Sequence, residues 1–383
     1  MSRLENVAAQ FDLNGHIIKL KPYGSGNINR TFLLSTDSAP PEKTILQRIN
    51  PEVFKHPRQI MENMVVITRH MAAQLGAPGN EDTMWQVPRI IPTRSGETCF
   101  IDQDGYFWRA MSFIDNTVSF DTVRDEDQAR KAGQALGLFH RLTGNLDPKR
   151  LHDTLPGLHH TPDYLVYYDH IATNFHGLHP QRRTGICKSP FEGGQGDVEI
   201  AEFCTGFIEG NREMAGVLEN ASHEGRLVVR TIHGDPKISN ILFDKEQGSP
   251  VSLVDLDTVK PGLLLYDIGD FLRSTCNPAG EEATDPETVI FDRNFCRAAL
   301  QGYFTCLGDL LSENDISLIF DSIRLIAFEL GLRFFTDFLA GNIYFRAEHE
   351  SHNLRRAVGQ FKLAESISQQ ETEIQSLIAT LLK

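Results

Sequence analysis

The chain has no concentration of basic residues. Its 383 residues include 37 Lys and Arg against 51 Asp and Glu, which gives a formal net charge of −14. Nucleic acids and anionic membranes are bound by clustered Lys and Arg. We therefore expect neither a nucleic acid nor a membrane as the main partner.

Paired cysteines and long apolar runs are also missing. The six cysteines show no C-x-x-C pair or metal-site spacing, and we predict reduced, mostly buried thiols in a cytoplasmic protein. Residues 1–15 contain no signal-peptide core, and no later run nears the length that spans a bilayer. The chain is too long for one small core, so we expect two lobes.

One hairpin carries most of the chemical information. Two apolar, β-branched stretches, Ile241–Phe243 and Val251–Val254, flank a polar turn, which predicts a tight strand pair. Asp235 and Asn240 precede the first strand, and Asp255 follows the second. Because a hairpin brings its outer ends together, we expect these three side chains to converge on one polar site.

These three groups suit phosphoryl transfer. The reaction requires that the transition-state charge be neutralised and the incoming hydroxyl oriented or deprotonated. The Asp235 carboxylate can accept a hydroxyl proton, and the side-chain oxygens of Asn240 and Asp255 are the hard ligands that Mg²⁺ prefers. Asp, Asn and Gly are also ordinary turn residues. However, the compound pattern Asp-x4-Asn, strand, turn, strand, Asp is the arrangement used by protein kinases.

A second candidate site is the glycine-rich turn between two predicted strands, His16–Lys21 and Thr31–Ser35. Glycine amides can approach phosphate oxygens closely, because no side chain intervenes. A plain hairpin turn is the alternative interpretation. The predicted phosphate-contacting residues are Gly24, Ser25, Gly26 and Asn29.

The motifs HGDPKISNILFD and LVDLDTVKPGLLLYDIGD resemble those of the aminoglycoside phosphotransferase and choline kinase superfamily. Within it, the chain is most similar to the N-acetylhexosamine 1-kinases. They share the order of the Y-G-x-G-x-I-N turn, the I-L-Q strand and the C-terminal GLRFFTDFLAGNIYF block. The similarity covers nearly the whole chain and is weakest at residues 145–225.

The resemblance implies an α+β, two-lobed protein-kinase-like fold. A small antiparallel-sheet N-lobe would cover residues 1–113 and include the glycine-rich turn. A larger, mainly helical C-lobe would cover residues 114–383. The resemblance also implies ATP and Mg²⁺ as cofactors and a small-molecule sugar as substrate, and we expect a monomer or a weak homodimer.

The third predicted strand, Thr44–Asn50, lacks a lysine at the position where protein kinases hold the ATP phosphates. It offers Gln47 and Arg48 instead, and only one can face the cleft, because neighbours on a strand point to opposite sides. The resemblance favours Gln47 as the inward, nucleotide-contacting residue and Arg48 as the outward, solvated one. On the following helix, Glu62 is predicted to be an exposed charge rather than the glutamate partner of a strand cation.

The resemblance also places sugar contacts in the C-terminal block. Arg333 and Tyr344 stand where that family contacts the sugar, and Asn27 stands where relatives often carry a histidine. Sugar recognition uses fixed hydrogen-bonding groups and a flat apolar surface. The alternative is a structural Arg333–Asp337 pair with Tyr344 packed on it.

Further interpretations concern single side chains and one segment. Asp267 is predicted to brace the H-G-D loop through backbone amides, and His140 to be a packed or hydrogen-bonded residue. Asp257 either reaches the metal or braces its own loop. Residues 176–196, rich in Gly, Pro and basic side chains, predict a long loop.

The sequence thus predicts an enzyme that transfers phosphoryl from ATP to the anomeric hydroxyl of a hexose or N-acetylhexosamine. The first alternative is a kinase of the same fold acting on choline, homoserine or an aminoglycoside. The second is a catalytically silent nucleotide-binding module, which the missing strand lysine favours. A metal hydrolase built on His233 and Asp235 would lack further ligands at suitable spacing.

Overall fold

The computed structural model describes residues 3–24, 28–78, 83–176 and 195–382. The chain divides into two compact units, each assembled from separate segments. Unit 1 comprises Met1–Val118, Leu142–Pro156 and Leu242–Pro261. Unit 2 comprises Ser119–Arg141, Gly157–Ile241 and Gly262–Lys383.

The strands are short, and most of them belong to unit 1. They are β1 (Ile17–Pro22), β2 (Arg30–Thr36), β3 (Lys43–Arg48), β4 (Ile90–Ile91), β5 (Phe100–Ile101), β6 (Phe107–Ser112), β7 (Thr117–Val118), β8 (Arg230–Ile232), β9 (Ile241–Asp244), β10 (Pro250–Leu253) and β11 (Lys260–Gly262).

The helices lie mainly in unit 2. They are α1 (Arg3–Ala8), α2 (Pro57–Leu75), α3 (Glu126–Thr143), α4 (Thr161–His176), α5 (Gln195–Asn211), α6 (Val217–His223), α7 (Leu264–Thr275), α8 (Arg293–Leu307), α9 (Glu313–Ser317), α10 (Ile319–Leu339), α11 (His352–Gln369) and α12 (Glu371–Leu381).

The main sheet of unit 1 is antiparallel and has the order β1-β2-β3-β6-β4, with β5 also paired to β6. Residues Val7, Ala8 and Phe11, in and after α1, pack with Leu46 and Trp108 to form its core. β4 has only two residues, because prolines stand at positions 88 and 92 on either side of it and cannot donate hydrogen bonds to a sheet.

The hairpin predicted from the sequence is present. β9 and β10 are neighbours in a three-stranded sheet, with β7 on the other side of β9. The turn between them is closed by the amide of Asp244, which donates to the Ser249 carbonyl at 2.8 Å. The predicted strand pair is therefore confirmed.

Two helical segments of unit 2 are interrupted or begin late. Residues 198–218 include the end of α5, a 3-10 turn and the start of α6, and the helix is interrupted at Asn211 and at Gly216, which both have non-helical dihedral angles. Glycine weakens a helix interior, because it loses the most backbone entropy on ordering. In residues 286–307, the α-helix begins only at Arg293, where the Asp292 side chain caps α8 by accepting from two backbone amides.

The core of unit 2 is built around α10, which is buried along most of its length. Phe334, Phe335 and Phe338 are at most 3% exposed, as the helical spacing predicts for core residues. Phe328 and Phe361 extend the same aromatic cluster across α10 and α11.

The thiols of the described cysteines are unpaired, as the sequence predicts. The cysteines in the described residues are free; Cys99, Cys204, Cys276 and Cys296 are buried, Cys306 is half-buried, and Cys187 lies outside the described residues. The structure describes the chain up to the end of α4 and again from the start of α5, so most of the predicted loop also lies outside them. No helix in the described part of the chain is long and apolar enough to cross a membrane.

Helices α3 and α8 cross at glycines, which supplies a test of the packing. A Cβ on Gly133 would lie 1.9 Å from the carbonyl oxygen of Ala299. Gly133→Ala should therefore push the two helices apart and lower the free energy of unfolding by about 2–3 kcal/mol. Urea unfolding measures the change.

Gly206→Ala in α5 is the matched control, because no neighbouring atom lies within 4 Å of its added Cβ. That variant should be neutral or stabilised by up to about 1 kcal/mol. Equal stabilities of the two variants would contradict the close crossing.

Candidate functional site

The H-G-D loop, residues 233–240, connects β8 to β9. Gly234 has a φ of 84°, a conformation open to glycine at no steric cost. This turn directs two successive amides to one acceptor, because the Asp267 carboxylate receives His233 N at 2.6 Å and Gly234 N at 2.8 Å. The predicted brace of this loop by Asp267 is therefore confirmed.

Asp267 is itself held by buried groups. It is fully buried at the start of α7, and Nε2 of His140 on α3 lies 2.9 Å from its Oδ2. Burial would raise the pKa of Asp267, but hydrogen bonding and charge from His140 and His233 lower it below its usual value. The carboxylate is therefore ionised and accepts all of these bonds. Nδ1 of His140 contacts the Tyr303 hydroxyl at 2.9 Å, so its predicted role as a hydrogen-bonded core residue is confirmed.

The other end of the loop gathers the predicted catalytic groups. Nδ2 of Asn240 donates to the Asp235 carbonyl at 2.7 Å and to its Oδ2 at 3.1 Å. Because both bonds use the amide nitrogen, Oδ1 of Asn240 remains as an acceptor suited to a metal ion. The structure thus brings Asp235 and Asn240 together, as the Asp-x4-Asn spacing predicts.

Lys237 is a candidate that the sequence interpretation missed. Its Nζ lies 3.0 Å from Oδ2 of Asp235, and about a third of each side chain is exposed. The signal was present in the sequence, because Lys237 lies inside the Asp-x4-Asn spacing. A cation beside a carboxylate can neutralise negative charge at such a position.

His159 is a second missed residue, and it supports the loop from another side. Its Nε2 lies 3.0 Å from the carbonyl oxygen of Gly234, and its Nδ1 lies 3.1 Å from Oε1 of Glu329 on α10. The Thr161 hydroxyl donates to the other Glu329 oxygen at 2.8 Å. His159 has a φ of 66° and is 3% exposed, so the surrounding contacts fix an uncommon backbone conformation.

The two ring contacts of His159 define its charge. A carbonyl and a carboxylate are both acceptors, so the ring donates from both nitrogens when it is protonated. Burial would lower the pKa of His159, but the charge and hydrogen bond of Glu329 raise it above its usual value. Glu329, although buried, has a lowered pKa because of the same partner. The two residues form a buried ion pair.

Arg333 stands one turn after Glu329 on α10, inside a ring of aromatic side chains. We define this arginine cage as Arg333 with Tyr164, Tyr344 and Phe345, whose ring centroids lie 4.9, 5.9 and 5.4 Å from the guanidinium carbon. Burial raises the pKa of Tyr164 to about 12, so its phenol is neutral.

The guanidinium of Arg333 retains unused hydrogen-bonding capacity. Its nearest carboxylate oxygen, on Glu329, is 3.8 Å away, and the arginine side chain is 14% exposed. Within the part of the chain that the structure describes, no acceptor lies within hydrogen-bond distance of this guanidinium. The structure thus brings Arg333 and Tyr344 together and leaves donors available to a ligand.

Asp337 does not pair with Arg333, so the structural-pair alternative is wrong. Its carboxylate instead accepts the successive backbone amides of Ile343, Tyr344 and Phe345 at 2.9, 2.7 and 2.9 Å. A carboxylate satisfied by three amides fixes the turn that carries two of the cage rings.

In unit 1, Gln47 does not face open solvent. Its Oε1 accepts from Nε and Nη2 of Arg109 at 3.0 and 2.7 Å, and its Nε2 donates to Thr31 at 2.9 Å. The side-chain amide of Gln47 thus lies against Arg109, a buried arginine on the neighbouring strand β6. Arg48 points to the opposite face, as predicted, but it is half-buried rather than solvated, because its guanidinium stacks on Tyr106 at 4.1 Å.

Two more predictions in unit 1 are resolved by hydrogen bonds. Asp257 is 2% exposed and binds Arg109 and Asn29, so it braces its loop and is not open to a metal. Asn29 uses both ends of its amide inside the protein, so any phosphate contact from it must come through its backbone. Glu62 is 60% exposed and pairs with His152, as expected of a surface helix charge.

The glycine-rich turn is described only in part. Gly24 has a φ of 77° and is exposed, whereas Ser25, Gly26 and Asn27 lie outside the described residues. A cavity of about 310 Å³ is lined by Tyr23, Gly24, Asn29 and the start of β2.

Asp255 follows β10 and stands in a strained position. Its φ of 67° is in the left-handed region, which non-glycine residues seldom adopt. Such residues cluster at functional sites, where the surrounding structure holds them. The carboxylate of an aspartate at this position is a hard oxygen donor of the type that Mg²⁺ prefers.

The family follows from comparison with known proteins. The sequence model of the phosphotransferase enzyme family matches residues 19–303, about three quarters of the chain and all of the H-G-D loop and hairpin. The chain belongs to this family, and the superfamily resemblance seen in its motifs is confirmed.

Solved structures show the same fold. The chain is similar to a microcompartment-associated aminopropanol kinase, with a TM-score of 0.59, 14% identity and coverage of 97% of this chain and 98% of that one. It is similar to choline kinase from Cryptosporidium parvum, with a TM-score of 0.56, 12% identity and coverage of 99% of both chains. An amicoumacin kinase solved with AMP-PNP, Ca²⁺ and its antibiotic gives a TM-score of 0.53 at 14% identity, covering 94% and 92%. The predicted kinase-like α+β fold, with an antiparallel sheet and a mainly helical part, is confirmed.

The His159–Glu329 pair predicts a pH-dependent stability. Because its folded-state pKa is raised, protonated His159 stabilises the protein below the ordinary histidine pKa of about 6.5. This contribution disappears as the pH rises through the higher folded-state value. His159→Gln should cost about 3 kcal/mol at pH 6 and progressively less on the alkaline side, which urea unfolding at several pH values measures.

His223→Gln serves as the control for this experiment, because His223 is exposed at the end of α6. Its difference from the natural protein should stay near zero throughout. A stability gap for His159→Gln that does not change with pH would contradict the ion pair.

Proposed function

We propose that this phosphotransferase moves the γ-phosphoryl group of Mg-ATP to the hydroxyl group of a small, uncharged sugar. The anomeric hydroxyl of a hexose or N-acetylhexosamine is the first candidate acceptor, which would give a sugar 1-phosphate. The observation that carries the proposal is the contact between Asp235 and Asn240 on a loop fixed by Asp267.

Each residue of the loop receives a role from its surroundings. Asp235 accepts the hydroxyl proton, and the transfer is favoured because an anomeric hydroxyl is more acidic than an ordinary alcohol. Lys237, 3.0 Å from that carboxylate, neutralises charge on the transferred group. Asn240 Oδ1 and the Asp255 carboxylate are the proposed metal ligands. When bound, Mg-ATP supplies the phosphoryl group and a cation that offsets its charge.

The backbone supports keep the base in place during the reaction. Asp267 fixes the amides before Asp235, and His159 fixes the carbonyl of Gly234. A reacting group held from both sides loses little additional entropy when the substrate arrives. These residues position the base without touching the substrate.

The arginine cage is the proposed acceptor-binding region. Guanidinium donors suit hydroxyl or carbonyl oxygens, and aromatic walls suit the apolar face of a sugar ring. The cage also disfavours cationic acceptors, because Arg333 is positive and the nearby Glu329 is already neutralised by His159. Choline and aminoglycosides, which carry positive charge, are therefore weaker candidates than a neutral sugar, although the chain shares the fold of choline kinase.

A catalytically silent nucleotide-binding module is the second candidate. It is favoured by the presence of Gln47 on β3 where protein kinases have a phosphate-binding lysine. Gln47 stands at the position of the strand lysine and is engaged by Arg109, so this position offers no cation to phosphates. Thermal shift with Mg-ATP, run beside a turnover assay on a panel of hexoses and N-acetylhexosamines, separates the two. Binding without turnover on any acceptor would favour the silent module.

Replacement of the proposed base and metal ligand tests the mechanism. Asp235→Asn removes the proton acceptor and should lower kcat at least about 100-fold. Asp255→Ala removes a metal oxygen and should lower turnover similarly. Formation of acid-labile sugar 1-phosphate from labelled ATP is the measurement, with circular dichroism to confirm folding. Near-normal turnover in both folded variants would remove this mechanism.

A separate experiment tests the acceptor site. Arg333→Gln should raise KM for the acceptor about tenfold or more, which corresponds to a lost charge-assisted hydrogen bond of about 1.5–3 kcal/mol. KM for Mg-ATP should change little. Steady-state kinetics with each substrate varied in turn provides both values.

Arg324→Gln is the matched control for the acceptor experiment. Arg324 lies on the same helix and also packs over an aromatic ring, that of Phe320 at 5.6 Å. It should leave both KM values unchanged. Equal effects of the two substitutions would rule out a specific acceptor role for Arg333.

A further inference from the structure

We propose that Arg109 and Asp257 form a buried clasp that positions Asn29, at the end of the glycine-rich turn, and the segment that carries Asp255 for a metal–nucleotide complex. The identity of this ligand rests on the proposed function. The clasp itself is a feature of unit 1 alone, and its members are positioning residues that do not touch the ligand.

Arg109 is the centre of the clasp. It lies on β6, is 1% exposed, and uses every nitrogen of its guanidinium. Nε and Nη2 donate to Oε1 of Gln47, while Nη1 donates to Oδ1 of Asp257 and contacts Sδ of Met64 at 3.0 Å. The sheet register explains the arrangement, because Thr31, Gln47 and Arg109 are direct cross-strand partners on β2, β3 and β6.

Asp257 extends the clasp to the glycine-rich turn. Its second oxygen, Oδ2, accepts from Nδ2 of Asn29 at 2.7 Å, and Oδ1 of Asn29 accepts from the amide of Asn50 at 2.9 Å. Asn50 lies just after β3, the strand that carries Gln47. The contacts therefore close a ring from Gln47 through Arg109, Asp257 and Asn29 back to the same segment of chain.

The same aspartate fixes the segment that carries Asp255. The carbonyl of Asp257 accepts the Thr154 hydroxyl at 2.8 Å, so its side chain and its backbone are both held. Asp255 lies two residues earlier, with its backbone in the left-handed region. An uncommon conformation persists where its surroundings over-determine it, and the clasp supplies that constraint. Asn29 lines a cavity together with Gly24 and binds Asp257, so one ion pair holds both Asn29 and the segment of Asp255.

Burial separates this role from direct binding. Arg109 and Asp257 are each at most 2% exposed, and their polar atoms already have partners, so neither has an atom to offer a phosphate. When both members of a buried ion pair are replaced by apolar residues of similar volume, the net stability often changes little. The main contribution of such a pair is then the geometry that it fixes. In protein kinases a strand lysine contacts the phosphates directly. Here the buried Arg109 acts indirectly, because it holds in place the segments that contact the ligand.

The test measures binding of Mg-AMP-PNP by isothermal titration calorimetry. Asn29→Ala cuts the link to the glycine-rich turn but leaves the buried ion pair intact, so the protein should fold. Its Kd should rise about tenfold or more, the usual size of effect for groups that orient a ligand's contacts. Asp257→Asn should weaken binding further, because it also loosens the Asp255 segment.

Non-additivity is the readout that a merely structural role would not produce. Asn29→Ala and Asp257→Asn both remove the hydrogen bond between Asn29 and Asp257. The Kd of the double variant for Mg-AMP-PNP should therefore not exceed the higher of the two single-variant values. Arg48→Gln on the opposite face of β3 is the control and should leave Kd unchanged. Additive effects on Kd, or unchanged binding by Asn29→Ala, would overturn the clasp while leaving the proposed function intact. Failure of the natural protein to bind Mg-AMP-PNP would overturn the proposed function, and the clasp with it.

Discussion

The Asp267 carboxylate is the group on which the H-G-D loop depends. It accepts two successive amides of that loop. Burial would raise its pKa, but hydrogen bonds and charge from His140 and His233 lower that pKa below its usual value, so the buried carboxylate is ionised. His140 in turn is placed by α3, which approaches α8 closely through Gly133. Helix packing far along the chain therefore determines the direction of the peptide before Asp235. This explains why the loop needs glycine at position 234 and a carboxylate on α7.

Buried charge is handled differently at the different sites. Arg109 with Asp257, and His159 with Glu329, are paired inside the protein, and each pair fixes a backbone segment. Arg333 is lined by aromatic rings and its nearest carboxylate oxygen, on Glu329, is 3.8 Å away, so no acceptor among the described residues uses its donors. Although the whole chain has an excess of acidic residues, it contains a few buried cations, and the residues around each cation determine its role. Paired cations organise the backbone, and the caged one suits recognition of a neutral oxygen-rich ligand.

Local sequence patterns predicted the elements whose chemistry is local. The β9–β10 hairpin followed from two β-branched stretches around a polar turn, and the meeting of Asp235 with Asn240 followed from their spacing. The sequence did not reveal partners that come from distant segments. The resemblance placed Gln47 toward a nucleotide, and the structure adds that Arg109 on β6 donates to its amide oxygen. The alternative pairing of Arg333 with Asp337 is wrong, because the Asp337 carboxylate accepts the amides of residues 343–345. A sequence pattern that is interpreted one residue at a time does not show which distant residues compete for its hydrogen bonds.

By itself, the sequence determined the hairpin, the H-G-D loop and the order of its oxygen-bearing side chains, because strand pairing and short turns depend on neighbouring residues. The fold class followed from the resemblance of its motifs to a known superfamily. Tertiary structure alone decided that His159 supports the loop, that Asp257 is a brace, and that Arg333 has no hydrogen-bond acceptor within reach among the described residues. The partners of these groups lie tens to hundreds of residues away, as in the 170-residue separation of His159 and Glu329. Burial then fixed their charges, since a buried ion is tolerated only beside its partner, and only the folded chain brings the two together.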